Sequence, residues 1–264
     1  MANHIPGPLY FEHLGATGIP MIFLHSTPDD HRLWLHQTAY FSSWYRCIAI
    51  DLAGYGRSPP VQEGVTMEDQ AIACWEIVDR ISVAPVIIQA NSMGASVAMR
   101  MVKQRPERIL ALLLSGTGQT RGSDIFQKWV ERYTAEGIGL RHTQVLDHFA
   151  PASLANPLIQ HYARMVVALN NEGTLASIIA MNKANAQRMP EDFYRGIKAP
   201  TIIIMGQEDR TYESSLALHR LIPGSEHKTI PGVAHAPMLE APAEYDRLAT
   251  GFLRQHGLFP GAAE

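Results

Sequence analysis

The chain has 264 residues, 46% hydrophobic and 18% charged, with a formal net charge of −3. At about 150 residues per domain the length gives nearly two domains, and a chain of this size buries enough surface to need no disulfide or metal staple. The near-neutral balance lacks the basic excess of a nucleic-acid surface, no apolar run nears the roughly 20 residues of a bilayer span, and Met1-Ala2-Asn3-His4-Ile5-Pro6-Gly7 has neither the basic start nor the apolar stretch of a secretion signal.

Short apolar runs flanked by turn residues mark the strands in order. Met21–Leu24 leads into His25-Ser26-Thr27-Pro28, and Cys47–Ile50 leads into Asp51-Leu52-Ala53-Gly54-Tyr55-Gly56-Arg57-Ser58. In the second turn the glycines read as backbone devices, with Asp51 and Arg57 as structural partners. Thr66–Ile81 reads as a helix, opening on Thr66-Met67-Glu68-Asp69 with a cap residue and acids in its first turn. Val86–Ile88 is the next strand, Met93 begins a helix that stops before Pro106, and Ile109–Leu114 is a fourth strand. Runs apolar at every position indicate a parallel sheet covered on both faces, and the alternation with helices indicates an α/β fold.

From Gly118 to Gly196 the alternation stops, and helical stretches appear at Asp124–Ala135, Leu158–Leu169 and Thr174–Arg188. It then resumes with a strand at Thr201–Met205, a helix at Ser214–Leu221, a strand at His227–Ile230 and a closing helix at Pro242–His256. The length therefore divides into one sheet domain, 1–117 with 197–264, and a helical insertion, 118–196.

Val86-Ile87-Ile88-Gln89-Ala90-Asn91-Ser92-Met93-Gly94 carries the strongest chemical signal, a strand turning at a serine straight into a helix. Such a nucleophile elbow needs small neighbours, because strand and helix nearly touch, and it lifts the hydroxyl to a helix N-terminus. A later strand ends in Gly206-Gln207-Glu208-Asp209, and Pro231-Gly232-Val233-Ala234-His235-Ala236-Pro237 puts a histidine in a loop before the last helix. The order serine, acid, base assigns Ser92 as nucleophile, His235 as its general base and Asp209 as the carboxylate that holds the imidazole. Glu208 is the rival carboxylate. His25 sits too early in the chain for this order and reads as a loop brace. Two N–H groups must meet the oxyanion; they are expected from Met93 and Thr27. Cys47 and Cys74 match no metal or redox spacing and take no part.

With these pieces in order, the chain resembles the α/β-hydrolase superfamily along essentially its whole length. The resemblance rests on His-Ser-Thr-Pro followed by Trp34, Asp-Leu-Ala-Gly-Tyr-Gly-Arg-Ser, Ala-Asn-Ser-Met-Gly, Gly-Gln-Glu-Asp and Gly-Val-Ala-His. Two positions depart from the usual pattern: Ala90 for the first elbow glycine and Ser26 for the glycine after His25. The resemblance implies a mostly parallel central sheet, with 118–196 as a helical cap shaping the pocket. Ser92, where dehalogenases and epoxide hydrolases carry Asp, points away from both. Within the superfamily the chain is similar to 3-oxoadipate enol-lactonases and small carboxylesterases, with some likeness to meta-cleavage C–C hydrolases, which usually carry a Trp where Ala236 stands. The expected function is a cofactor-free, metal-free serine hydrolase of a small ester or lactone, cytoplasmic, without nucleic-acid or membrane partners, its self-association left open. Ser26, Asn91 and Trp129 are candidate substrate contacts; Met165, Met181 and Met189 read as packing. Two other readings compete: C–C or hydroxynitrile cleavage in the same site, separated by assaying p-nitrophenyl acetate against ring-fission products, and a ligand receptor on a hydrolase-like fold, marked by an intact bound ligand and no turnover.

Overall fold

The computed structural model describes residues 4–118, 123–169 and 173–260. The predicted insertion, 118–196, is thus described apart from 119–122 and 170–172. In chain order the first half runs β1 (Phe11–Leu14), β2 (Pro20–Leu24), α1 (Leu35–Phe41), β3 (Arg46–Ile50), α2 (Met67–Ile81), β4 (Val86–Asn91), α3 (Met93–Gln104) and β5 (Ile109–Ser115). Among the described residues five α-helices follow without a strand: α4 (Ser123–Glu136), α5 (Leu140–Leu146), α6 (Pro157–Val167), α7 (Thr174–Asn185) and α8 (Glu191–Arg195). Then come β6 (Thr201–Gly206), α9 (Tyr212–Leu221), β7 (Glu226–Ile230), α10 (Pro237–Glu240) and α11 (Pro242–Gln255). The seven strands form one sheet in the order β1-β3-β2-β4-β5-β6-β7, parallel except for β1. The predicted α/β class is the one observed.

The apolar strands are buried on both faces because successive side chains enter different cores. Ile22 and Leu24, Ile48 and Ile50, and Leu112 and Leu114 pack on one side with α2, α3 and α7. Met21 and Phe23, Cys47 and Ala49, and Ala111 and Leu113 pack on the other with α6 and α11. The helices between β5 and β6 contribute to both cores, Ile178 and Met181 to the first and Tyr162 and Val166 to the second. Met165, Met181 and Met189 are packing residues, as expected. Thr66 caps α2 reciprocally: its Oγ1 accepts the Asp69 N–H at 3.1 Å and its own N–H donates to Asp69 Oδ2 at 3.0 Å. Strand β1 escaped the sequence reading because its four residues alternate weakly and pair only at an edge, antiparallel to β3.

Both cysteines are buried without a disulfide, and burial pushes the Cys47 thiol up to about 12, so neither offers a thiolate at neutral pH. Among the described residues no helix is long and apolar enough to cross a membrane. Asp246 on α11 is buried beside Gln37, whose Nε2 donates to its Oδ1 at 3.0 Å, and burial pushes this carboxyl up to about 6. The folded state then holds the proton more tightly than the unfolded chain, so this group costs stability as pH rises from about 4 through about 6. Asp246→Asn is expected to add about 1–2 kcal/mol near pH 8, a figure already discounted for residual hydration of the carboxyl. Near pH 4 it is expected to change nothing, and urea melts at the two pH values measure the difference.

Candidate active site

All parallel strands end on the same edge, and the groups singled out in the sequence lie there. Strand β4 pairs with β2 up to Leu24↔Ala90 and with β5 up to Asn91↔Ser115, so the loop after β2, Ser92 and Gly116 are neighbours. This carboxyl edge is where open α/β sheets bind ligands.

Ser92 has φ 53° and ψ −109°, and among the described residues no other non-glycine has a positive φ. A non-glycine residue costs about 1–3 kcal/mol there, and the tight β4–Ser92–α3 turn holds it. The turn also explains Gly94: a Cβ there would lie 2.3 Å from the Leu24 carbonyl oxygen. The Ser92 N–H donates to the Ser115 carbonyl at 2.9 Å, and Ser92 forms no side-chain cap to α3.

Asp209 follows β6 and His235 follows β7. His235 Nδ1 lies 2.9 Å from Asp209 Oδ2, while Asp209 Oδ1 accepts the Thr211 N–H at 2.7 Å and the Thr211 hydroxyl at 2.8 Å. Each carboxylate oxygen has its own donor, which fixes the plane of the acid and, through it, the histidine ring. The glycine at 116 leaves room for that ring, since a Cβ would sit 3.0 Å from His235 Cε1 and 2.5 Å from Asn91 Nδ2. Glu208 contributes only its backbone, donating to the Val233 carbonyl at 3.0 Å. Ser92, Asp209 and His235 are 5%, 4% and 2% exposed, so the group is nearly sealed from bulk water, which strengthens electrostatic interactions inside it.

The loop after β2 runs against the start of α3; a Cβ on Gly94 would also meet the His25 carbonyl at 2.8 Å. Met93 opens α3, so its N–H belongs to the first turn, which has no intrahelical acceptor. Thr27 is buried, its hydroxyl 2.8 Å from the Tyr55 hydroxyl. His25 braces this loop. Because the Leu52 N–H donates to His25 Nε2 at 2.9 Å, the ring proton is on Nδ1 and goes to the Ser26 carbonyl at 2.7 Å. Burial lowers the pKa of His25 and keeps it neutral.

The three candidate substrate contacts are placed differently. The Ser26 hydroxyl donates to Asp29 Oδ2. Asn91 is fully buried, and its amide donates to Ser115 Oγ and to the His235 carbonyl, both at 3.0 Å. Through these two bonds the amide ties the histidine loop to β4 and β5. Trp129 is half-buried on α4, its ring contacts being with Tyr133 and the Arg132 guanidinium rather than with the Ser92 group.

Several surrounding groups gave no sequence signal. Glu240 joins two loops: Oε1 accepts the Ala234 N–H and Oε2 the Ala150 N–H, each at 2.8 Å. Arg141 on α5 is fully buried, with Nε and Nη2 donating to the Pro28 carbonyl at 2.9 and 2.8 Å. Asp29 Oδ2 lies 3.1 Å from His148 Nδ1, and Oδ1 accepts the Tyr162 hydroxyl at 2.9 Å. Although burial alone would raise the pKa of Asp29, His148 and these hydroxyls hold it below the usual carboxylate value.

Asp30, His31 and Asp51 cluster closely enough to hold a cation. Their carboxylates are already engaged: Asp51 accepts the His31 N–H at 2.7 Å and the Arg57 N–H at 2.8 Å, and Asp30 accepts Arg32 Nε at 2.9 Å. The cluster braces the turn after β3, the structural role expected of Asp51 and Arg57.

The sequence profile of the alpha/beta hydrolase fold matches residues 19–242. The chain belongs to the α/β hydrolase family. Its neighbours are enzymes, and it is a hydrolase. A 2-hydroxy-6-oxononadienedioate/2-hydroxy-6-oxononatrienedioate hydrolase of Pseudomonas putida is 25% identical, covering 93% of this chain and 91% of that protein. The dihydrolipoyllysine-residue acetyltransferase component of an acetoin cleaving system, also from Pseudomonas putida, is 23% identical; the match covers 94% of this chain but 66% of that longer protein. Among solved structures, a thermophilic esterase from Thermogutta terrifontis superposes with a TM-score of 0.81 at 26% identity, covering 94% and 93% of the two chains. The enol-lactonase from Burkholderia xenovorans LB400 gives 0.83 at 17% identity over 95% and 98%.

Proposed function

We propose that this hydrolase cleaves a small-molecule ester or lactone through an acyl-enzyme on Ser92. The single observation that carries the reading is the strained Ser92 at the head of α3, on the same sheet edge as a histidine whose Nδ1 is held by a buried carboxylate. As the Ser92 oxygen bonds to the carbonyl carbon, its proton passes to His235 Nε2. Asp209 fixes the tautomer and stabilises the imidazolium. The N–H groups of Met93 and Thr27 receive the oxyanion. When the intermediate collapses, the C–O bond to the leaving alcohol breaks and that oxygen takes the proton from His235. Water, deprotonated by the same nitrogen, then releases the acid and restores Ser92.

In this reading 118–196 is the cap: α5 and α6 bring Arg141 and Tyr162 onto the loop after β2, closing the site over a small substrate. Two buried, unpaired cysteines suit a reducing compartment, and we place the enzyme in the cytoplasm. A fluorophosphonate probe is expected to label Ser92 in the wild type and to leave Ser92→Ala unlabelled; labelling that survives the substitution overturns the proposal. The likeness to a C–C hydrolase supports a second reading in the same site, and turnover of a ring-fission dienoate in preference to p-nitrophenyl acetate would select it.

A further inference from the structure

The site contains a second histidine–carboxylate pair that the reaction above does not use. His148, in the connection after α5, is 2% exposed, and its Nδ1 meets Asp29 Oδ2 at 3.1 Å. Its ring centroid is 4.8 Å from that of His235, with the planes at 54°, and its carbonyl accepts the His235 N–H at 2.9 Å. The pair thus repeats Asp209–His235 one ring's width away, but comes from the helical insertion and the loop after β2. Burying an ionised carboxylate costs desolvation that an apolar side chain avoids, so packing alone does not account for the pair.

Deacylation poses a problem that this pair answers. The attacking water gives one hydrogen to His235 Nε2, and in a nearly sealed site the other O–H also needs an acceptor, because a buried unpaired donor is costly. Asp29 is already engaged: its carboxylate meets the Ser26 hydroxyl, the Tyr162 hydroxyl and His148 Nδ1. With Nδ1 donating to Asp29, the neutral His148 ring carries its lone pair on Nε2.

Resting on the acyl-enzyme reading, we infer that His148, oriented by Asp29, is a positioning residue that accepts the second hydrogen of the hydrolytic water. His235 takes one proton as the water oxygen bonds to the acyl carbon. The bond from that carbon to Ser92 Oγ then breaks, and the same proton returns to Ser92. The second O–H bond stays intact throughout and leaves on the product acid, so the step transfers no proton to His148.

The test separates the two half-reactions with p-nitrophenyl acetate in a stopped-flow instrument. In His148→Phe, which keeps a ring against His235 but no lone pair, the initial burst of p-nitrophenolate is expected to keep its wild-type rate. Steady-state turnover is expected to fall about ten- to thirtyfold, the effect of one lost hydrogen bond, with an acetyl group retained on Ser92 by intact-mass spectrometry. His148→Asn, which keeps an N–H for Asp29 but does not reach as far, is expected to accumulate the same acetyl-enzyme and carries the test if the phenylalanine variant does not fold. A merely structural residue would slow both phases together; that result, or a wild-type deacylation rate in a variant that acylates normally, overturns the inference. If fluorophosphonate fails to label Ser92 in the wild type, the acyl-enzyme reading itself has failed, which is a different outcome.

Discussion

Replacing His235 by alanine is expected to lower kcat by about a million-fold, and adding Ser92→Ala to that variant is expected to cost almost nothing more. The reason is that nucleophile and base act on one proton: without an acceptor the hydroxyl attacks poorly, and without the hydroxyl the acceptor has nothing to take. Independent contributions would instead multiply. The measurement is kcat on p-nitrophenyl acetate for the two single variants and the double variant. A double variant that falls far below both singles would show that Ser92 and His235 do not work as a unit. The fold is expected to survive, because the His235 loop is also held through its backbone by Asn91 and His148 and through Ala234 by Glu240.

Asp209→Asn is expected to reduce kcat about 10⁴-fold with little change in KM. The side chain keeps its size, and its oxygen still accepts from Thr211, whose N–H and hydroxyl both bind Oδ1. What changes is the partner offered to His235: an amide N–H in place of Oδ2 asks Nδ1 to accept, which moves the ring proton to Nε2, where Ser92 needs a lone pair. The imidazolium also loses its counter-charge. Steady-state kinetics and a thermal melt together check this, and a large rise in KM at constant kcat would refute the assignment.

How much of this was legible in the sequence depends on whether the signal was local. The core strands could be read because a strand buried on both faces must be apolar at every position, as Ile22-Phe23-Leu24 and Ile202-Ile203-Ile204 are. The elbow could be read because strain at Ser92 and contact at Gly94 dictate small neighbours within five residues. Asp209 and His235 could be read because a strand end fixes where a loop residue emerges. The Asp29–His148 and Arg141–Pro28 contacts could not: they join positions 119 and 113 residues apart through loops and short helices with no periodicity. The packing of Asn91 was not legible for a related reason. Adjacency to Ser92 in sequence suggested adjacency to substrate, yet alternation along β4 turns its side chain under the sheet edge toward Ser115.

The sheet order carries a consequence for how such an enzyme fails. Ser92 follows β4 in the middle of the sheet, whereas Asp209 and His235 follow β6 and β7, the outermost two strands on one side. Strand β6 pairs with β5 over only three residues, and most of β7 is partly open to solvent. Free energies of opening vary across a structure and are lowest where backbone pairing is sparse and exposed. Loss of turnover on heating is therefore expected to precede loss of the central sheet and to reverse on cooling while the first five strands stay assembled, which activity and far-UV circular dichroism followed in the same melt would check.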